Sequence, residues 1–246
     1  MENDSFWTLP RPPREGFDSV LSLWVRAGAL FFEGFDFIFG VMLLVGVPAS
    51  AVTLAVETAM QGWSSLLTIP LDIAVSSFFY AWLSGPILFG VARRLSEGQW
   101  PRTIEGLRWM APRWLRLTGV LIVTSLAFTA GVLAVIVPGL YLLVKFALAD
   151  ACVLYEPERP AIQRSWELSR QSPVNIFLAI GPFLLASMLF TFGVDYDALR
   201  QMPLLAFAVD WSRLLLLAAY PTVVTALLYG WMKGEEDNAA MSRMDV

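Results

Sequence analysis

The sequence contains no histidine and a single cysteine. Without an imidazole there are no histidine metal ligands, no histidine general base and no histidine-dependent acyl or phosphoryl transfer. Cys152 on its own can form neither an internal disulfide nor a cysteine metal cluster, so it reads as a small apolar filler within a helix. Charge is also scarce: 15% of the 246 residues are Asp, Glu, Lys or Arg, against about 25% in a typical soluble domain. In their place, 57% of the residues are apolar, and the mean hydropathy is +0.62. A soluble fold cannot hide that much apolar surface, and the composition places the chain among integral membrane proteins. The 17 basic and 21 acidic residues leave a net charge of -4 and are spread along the chain. Nothing in that distribution suits nucleic acid. Met1 to Arg14 is polar and holds three prolines, unlike a cleavable secretion signal, so the first membrane helix is expected to remain in the protein.

Six segments have the length and apolarity to span, or nearly span, a bilayer core that needs about 20 apolar residues. They run from Phe35 to Val56, Leu67 to Val91, Leu115 to Val137, Gly139 to Tyr155, Pro173 to Phe192, and Leu204 or Trp211 to Met232. Lipid offers the backbone no hydrogen-bonding partners, so each must be a helix. The fourth is short, about 25 Å at 1.5 Å per residue, and tolerates little tilt. The expected fold is therefore all-α: about six transmembrane helices with amphipathic interfacial helices between them. Residues 1–34 form a cytoplasmic N-terminal segment, 35–232 the six-helix domain, and 233–246 a disordered polar tail.

Basic residues alternate between the links. Arg11, Arg14 and Arg26 precede the first span; Arg93, Arg94, Arg102, Arg108, Arg113 and Arg116 lie between the second and third; Arg159, Arg164 and Arg170 lie between the fourth and fifth. The opposite links hold none in Glu57 to Leu66, none in the Pro138-Gly139 turn, and only Arg200. The positive-inside rule then puts both termini in the cytoplasm.

Two helices are expected to ride the cytoplasmic surface. Phe17, Val20, Leu21, Trp24, Gly28, Phe31 and Phe32 recur at helical spacing, with Glu15, Asp18, Ser22 and Arg26 on the other face. From Thr103 to Arg116, Ile104, Leu107, Ala111 and Leu115 make a second apolar stripe, and Trp100, Trp109 and Trp114 suit the headgroup level. Anchoring is the plainer role of this helix. A sharper reading makes it a docking surface for a cytoplasmic partner or an anionic lipid; Trp109, Arg113, Trp114, Arg164 and Trp166 are the candidate interfacial or partner contacts.

Ionisable residues at membrane depth are costly and so are functional candidates, although structural pairing and snorkelling are the commoner explanations. Lys145 lies about 9 Å beyond the Pro138-Gly139 turn, and Asp150 points about 140° away from it around the helix axis. The two cannot pair along one helix face. Each needs a partner elsewhere or a wet cavity, with Asp72 or Asp36 as possible partners; Lys145, Asp150 and Asp72 are the candidate intramembrane polar site. Asp210 and Arg213 suit a local pair, and Asp195, Asp197 and Arg200 a solvated outer loop. Pro48, Pro70, Pro86 and Pro182 are expected to kink their helices, Gly85-Pro86 most of all.

The run Val137-Pro138-Gly139-Leu140-Tyr141-Leu142, Lys145, Glu156 and then Pro160-Ala161-Ile162-Gln163-Arg164-Ser165-Trp166-Glu167-Leu168-Ser169 resembles a pattern in bacterial six-helix membrane proteins. That group includes the membrane domain attached to some glycerophosphodiester phosphodiesterases, together with many stand-alone relatives. The resemblance implies a helical membrane domain with cytoplasmic ends. It carries over no active site, because the phosphodiesterase chemistry belongs to a separate barrel of roughly 250 residues that nothing here could form. Pro160 can open a short helix on which Arg164, Glu167 and Arg170 are spaced for local pairs, an interfacial anchor after the fourth span.

Three function classes remain open. The favoured one is a non-catalytic subunit or scaffold of a membrane complex, with membrane lipids and a protein as partners, no nucleic acid and no cofactor. A transporter or permease subunit, ABC-type or similar, would need a polar cavity around Lys145 or Asp150. A membrane-embedded lipid-modifying enzyme would need at least two carboxylates and a basic residue converging at one depth, and Asp150, Glu156, Arg93, Arg94 and Arg164 are the set to test.

Overall fold

The computed structural model describes residues 17–60, 63–134, 136–193, 209 and 211–244, and among these the chain is all-α with no strand. Among the described residues five helices are long and apolar enough to cross a membrane: Phe35–Thr53, Leu67–Glu97, Trp114–Leu133, Val137–Tyr155 and Trp211–Gly234. A sixth apolar helix contributes the shorter run Pro173–Ser187. These fall on the six segments expected from hydropathy. Asp195, Asp197, Arg200 and Asp210 lie outside the described residues.

Helix α1 (Phe17–Glu33) departs from the expected surface helix. Val20, Leu23, Ala27, Leu30 and Phe31 are buried in the common core. The indole of Trp24 donates to the Ala179 carbonyl at 3.2 Å, and the Tyr220 hydroxyl donates to the Trp24 carbonyl at 2.8 Å. Leu21, Val25 and Phe32 remain exposed, so the helix has two apolar faces and is a member of the bundle. Apolar residues three and four apart suit a helix packed on the bundle as well as one lying at the interface.

The first span comprises α2 (Phe35–Val41), a π-helical turn at Met42–Gly46 and α3 (Val47–Ala59). A second π turn, Leu215–Ala219, precedes α11 (Tyr220–Met244). Each ends two residues before a proline, Pro48 and Pro221. A helical proline lacks an N–H, and its ring collides with the carbonyl four residues back, here Leu44 and Leu217. Both carbonyls lie within a π turn, whose wider winding moves them off the ring. Pro221 gave no expectation of a kink, while Pro70, Pro86 and Pro182 sit inside continuous α-helices.

Helix α4 (Ser65–Glu97) has 33 residues, about 50 Å at 1.5 Å per residue and longer than a bilayer core of about 30 Å. Its last turns carry the charge. Arg93 pairs with Glu97 at 2.7 Å and with Glu105 of α5 (Thr103–Met110) at 2.6 Å. Arg94 pairs with Glu33 of α1 at 2.5 Å. The helix closes on Gly98, whose φ of 74° is the left-handed conformation that glycine adopts without penalty.

Helix α6 (Trp114–Ala134) and α7 (Ile136–Phe146) form an antiparallel hairpin. The reversal comes earlier than the Pro138-Gly139 turn expected from sequence. Pro138 sits instead in the first turn of α7, where a missing N–H costs no helical bond. The fourth span does not continue as one helix: it breaks at Ala147 and Leu148 and restarts as α8 (Ala149–Tyr155). Helix α9 (Ala161–Leu168) folds back along α8, and α10 (Pro173–Gly193) follows. The last helix runs through Met244, across most of the stretch where a disordered tail was expected from Lys233 onward.

Candidate functional site

The break in the fourth span exposes backbone groups in an apolar setting, and two polar side chains satisfy them. The carbonyls ending α7 and the amides opening α8 have no partner within their own helices. The Ser165 hydroxyl, brought in by α9, donates to the Lys145 carbonyl at 2.7 Å and accepts from the Leu148 amide at 3.3 Å. One hydroxyl can do both because it has a proton and two lone pairs. Asp150, in the first turn of α8, accepts the Ala151 amide proton at 2.8 Å. A carboxylate there also suits the positive end of the helix dipole.

A polar seam joins α4 to the last span. The Tyr80 hydroxyl lies 3.4 Å from Thr222 Oγ1, and the Thr222 hydroxyl donates to the Ala218 carbonyl at 2.8 Å. Since the threonine proton is committed to Ala218, the tyrosine is the donor of the longer bond. Ala218 lies in the second π turn, so the seam ends on a carbonyl of a widened helical turn.

A second group clamps the end of α8. Arg164, only 3% exposed, donates from Nε to Glu156 Oε2 at 2.8 Å. Arg159 reaches the same oxygen at 3.7 Å, and the Tyr229 hydroxyl of α11 donates to Oε1 at 2.5 Å. Arg164 also approaches Glu167 at 3.8 Å. Next to it the Tyr155 hydroxyl donates to the Leu88 carbonyl at 2.7 Å, and the Tyr155 and Tyr229 rings lie 5.2 Å apart. Cys152 is fully buried between these groups.

The residues singled out from sequence divide among separate places. Lys145 and Asp150 flank the break and are 6% and 8% exposed. Asp72 is on the exposed face of α4, where Ser76 donates to it at 3.4 Å, and among the described residues it forms no ion pair with Lys145. Sequence had grouped the three by depth, but depth says nothing of azimuth. Trp109 and Arg113 do meet: the guanidinium lies 4.3 Å from the indole ring and donates to the Trp109 carbonyl at 2.6 Å. Trp109 stacks on Phe89 at 4.9 Å, and Trp114 meets Phe78 edge-on at 5.5 Å. Arg164, expected on a contact face, is instead the buried arm of the clamp. Trp166 packs against Tyr141 and Phe146.

Of the five residues considered for lipid chemistry, Glu156 and Arg164 are paired. Arg93 and Arg94 bind Glu97, Glu105 and Glu33 instead, and Asp150 serves its own helix terminus. Sequence reasoning missed Ser165, Tyr80, Thr222 and Tyr229. A hydroxyl in an apolar helix is the weak signal they share. Among the described residues no group of three Cys, Asp or Glu side chains could hold a metal ion. No protein-family model matches the chain, and neither a curated protein nor a solved structure matches it.

Proposed function

We propose that this chain is a non-catalytic polytopic membrane protein, a subunit or scaffold of a complex in a bacterial cytoplasmic membrane, with both termini in the cytoplasm. The observation that carries this reading is the engagement of the buried carboxylates by the protein itself. Glu156 has both oxygens bonded, to Arg164 and Arg159 on one side and Tyr229 on the other, and Asp150 holds a backbone amide. A general acid or base needs a lone pair or proton aimed at a substrate; the Glu156 oxygens are aimed at neighbouring side chains, and Asp150 Oδ1 at the amide of its own helix terminus. The arrangement suits a rigid platform whose exposed helices contact something else.

The broken fourth span favours one alternative, a permease subunit, because transporters place substrate sites at interrupted helices. Against it, Ser165 and Asp150 already occupy the backbone groups that such a break would offer a substrate. Purification in a mild detergent, with mass-spectrometric identification of what accompanies the chain, separates the readings. The subunit reading expects a stoichiometric membrane partner; an ATPase as that partner would favour the permease, and a solitary chain would count against both.

A further inference from the structure

We propose that Lys145, Arg170 and Trp166 form a binding site for the phosphate of one anionic phospholipid. The site is independent of the subunit reading and stands on an uncompensated buried cation. Lys145 is 6% exposed. Its ammonium lies 5.5 Å from the ring centroids of both Tyr141 and Trp166, and those two rings meet edge-on at 5.6 Å. Among the described residues no carboxylate lies within 4.0 Å of it. Arg170, four residues beyond Trp166 in the turn after α9, is another cation.

Two aromatic faces recover part of the hydration that a buried ammonium loses, but they supply no counter-charge. Arg170 is exposed and enters no ion pair among the described residues. An anion is the missing element.

The surroundings select a lipid over a soluble anion. Arg170 and Gln171 are exposed in the turn joining α9 to α10, which marks this level as polar. Immediately beside it, Tyr141 of α7 and Val174 and Phe177 of α10 present exposed apolar surface. A phosphate at Lys145 and Arg170 with acyl chains along α7 and α10 satisfies both kinds of surface. Basic pockets between membrane helices hold lipid headgroups in this manner.

The test is native mass spectrometry of the full chain released from nanodiscs of phosphatidylcholine with or without phosphatidylglycerol. Wild type is expected to retain one phosphatidylglycerol in preference to phosphatidylcholine. Lys145→Met keeps the apolar stem and should lower retention about fivefold, the worth of one basic residue near a membrane surface. Arg170→Gln, at an exposed turn, should lower it in the same direction and guards against misfolding of the buried variant. Equal retention by wild type and both variants would overturn the proposal. A thermal shift produced by inorganic phosphate in phosphatidylcholine discs, as large as that produced by phosphatidylglycerol, would overturn the lipid as the source of the anion.

Discussion

Arg164 and Glu156, eight residues apart in sequence, are bonded Nε to Oε2 at 2.8 Å where α9 folds back on α8, and Tyr229 of α11 holds the other carboxylate oxygen. The pair thus ties the broken fourth span to the last one. A buried pair of this kind is a weak source of net stability but a strong source of dependence, since removing one partner strands the other. Arg164→Met should destabilise the protein by about 3–5 kcal/mol, and Arg164→Met with Glu156→Met should recover much of that loss. Thermal unfolding in detergent of the two single variants and the double variant measures this. Additive losses would mean that the two side chains do not depend on each other.

Ser165 fills two bonding requirements with one hydroxyl. Ser165→Ala leaves the Lys145 carbonyl and the Leu148 amide without that partner, at a cost of about 1–3 kcal/mol. Amide exchange should report the site directly: the Leu148 N–H is expected to exchange faster in Ser165→Ala, with little change at Ala151, whose partner is Asp150. Equal acceleration at both positions would indicate general loosening of α8.

Hydropathy revealed the spans because lipid imposes a length and a composition on each. It could not reveal how the spans close on one another. Arg164 looked like a surface residue because its neighbours Gln163, Glu167 and Arg170 are polar; its burial depends on Glu156 and on Tyr229, which comes from the far end of the chain. The break at Ala147 and Leu148 carries no glycine or proline to announce it. It exists because a serine twenty residues beyond Lys145 satisfies the interrupted backbone. Lys145 and Asp150 were legible as unusual, since charge in an apolar run is visible in one dimension. Their partners were not.

Two glycines separate packing from propensity. A Cβ at Gly90 would strike the ring of the buried Phe37, and overpacking of this kind costs about 1–3 kcal/mol. A Cβ at Gly119 meets nothing within 4 Å, so alanine there should be neutral or stabilising by about 0.5–1 kcal/mol, the ordinary helical preference for alanine over glycine. Comparing the melting temperatures of Gly90→Ala and Gly119→Ala gives the sign of each. A harmless Gly90→Ala would mean that α2 and α4 are not in close contact.

Cys152, 0% exposed and the chain's single cysteine, makes the protein a ready background for mapping the two faces of the membrane. Thiols react through the thiolate and only where a reagent can reach them, so the native chain should resist a membrane-impermeant maleimide until it is denatured. Trp63 and Arg102 are exposed at opposite ends of α4. If the arginine-rich links face the cytoplasm, Trp63→Cys should label in intact spheroplasts, whereas Arg102→Cys should label only after the membrane is opened. The inverse pattern would reverse the topology without disturbing the fold, because every contact described above is the same in either orientation. Labelling of the unmodified chain at the rate of the exposed positions would instead place Cys152 outside the core and dissolve the clamp built around it. Arg164→Met should raise the native labelling rate of Cys152, since loss of the clamp frees α8 to open locally.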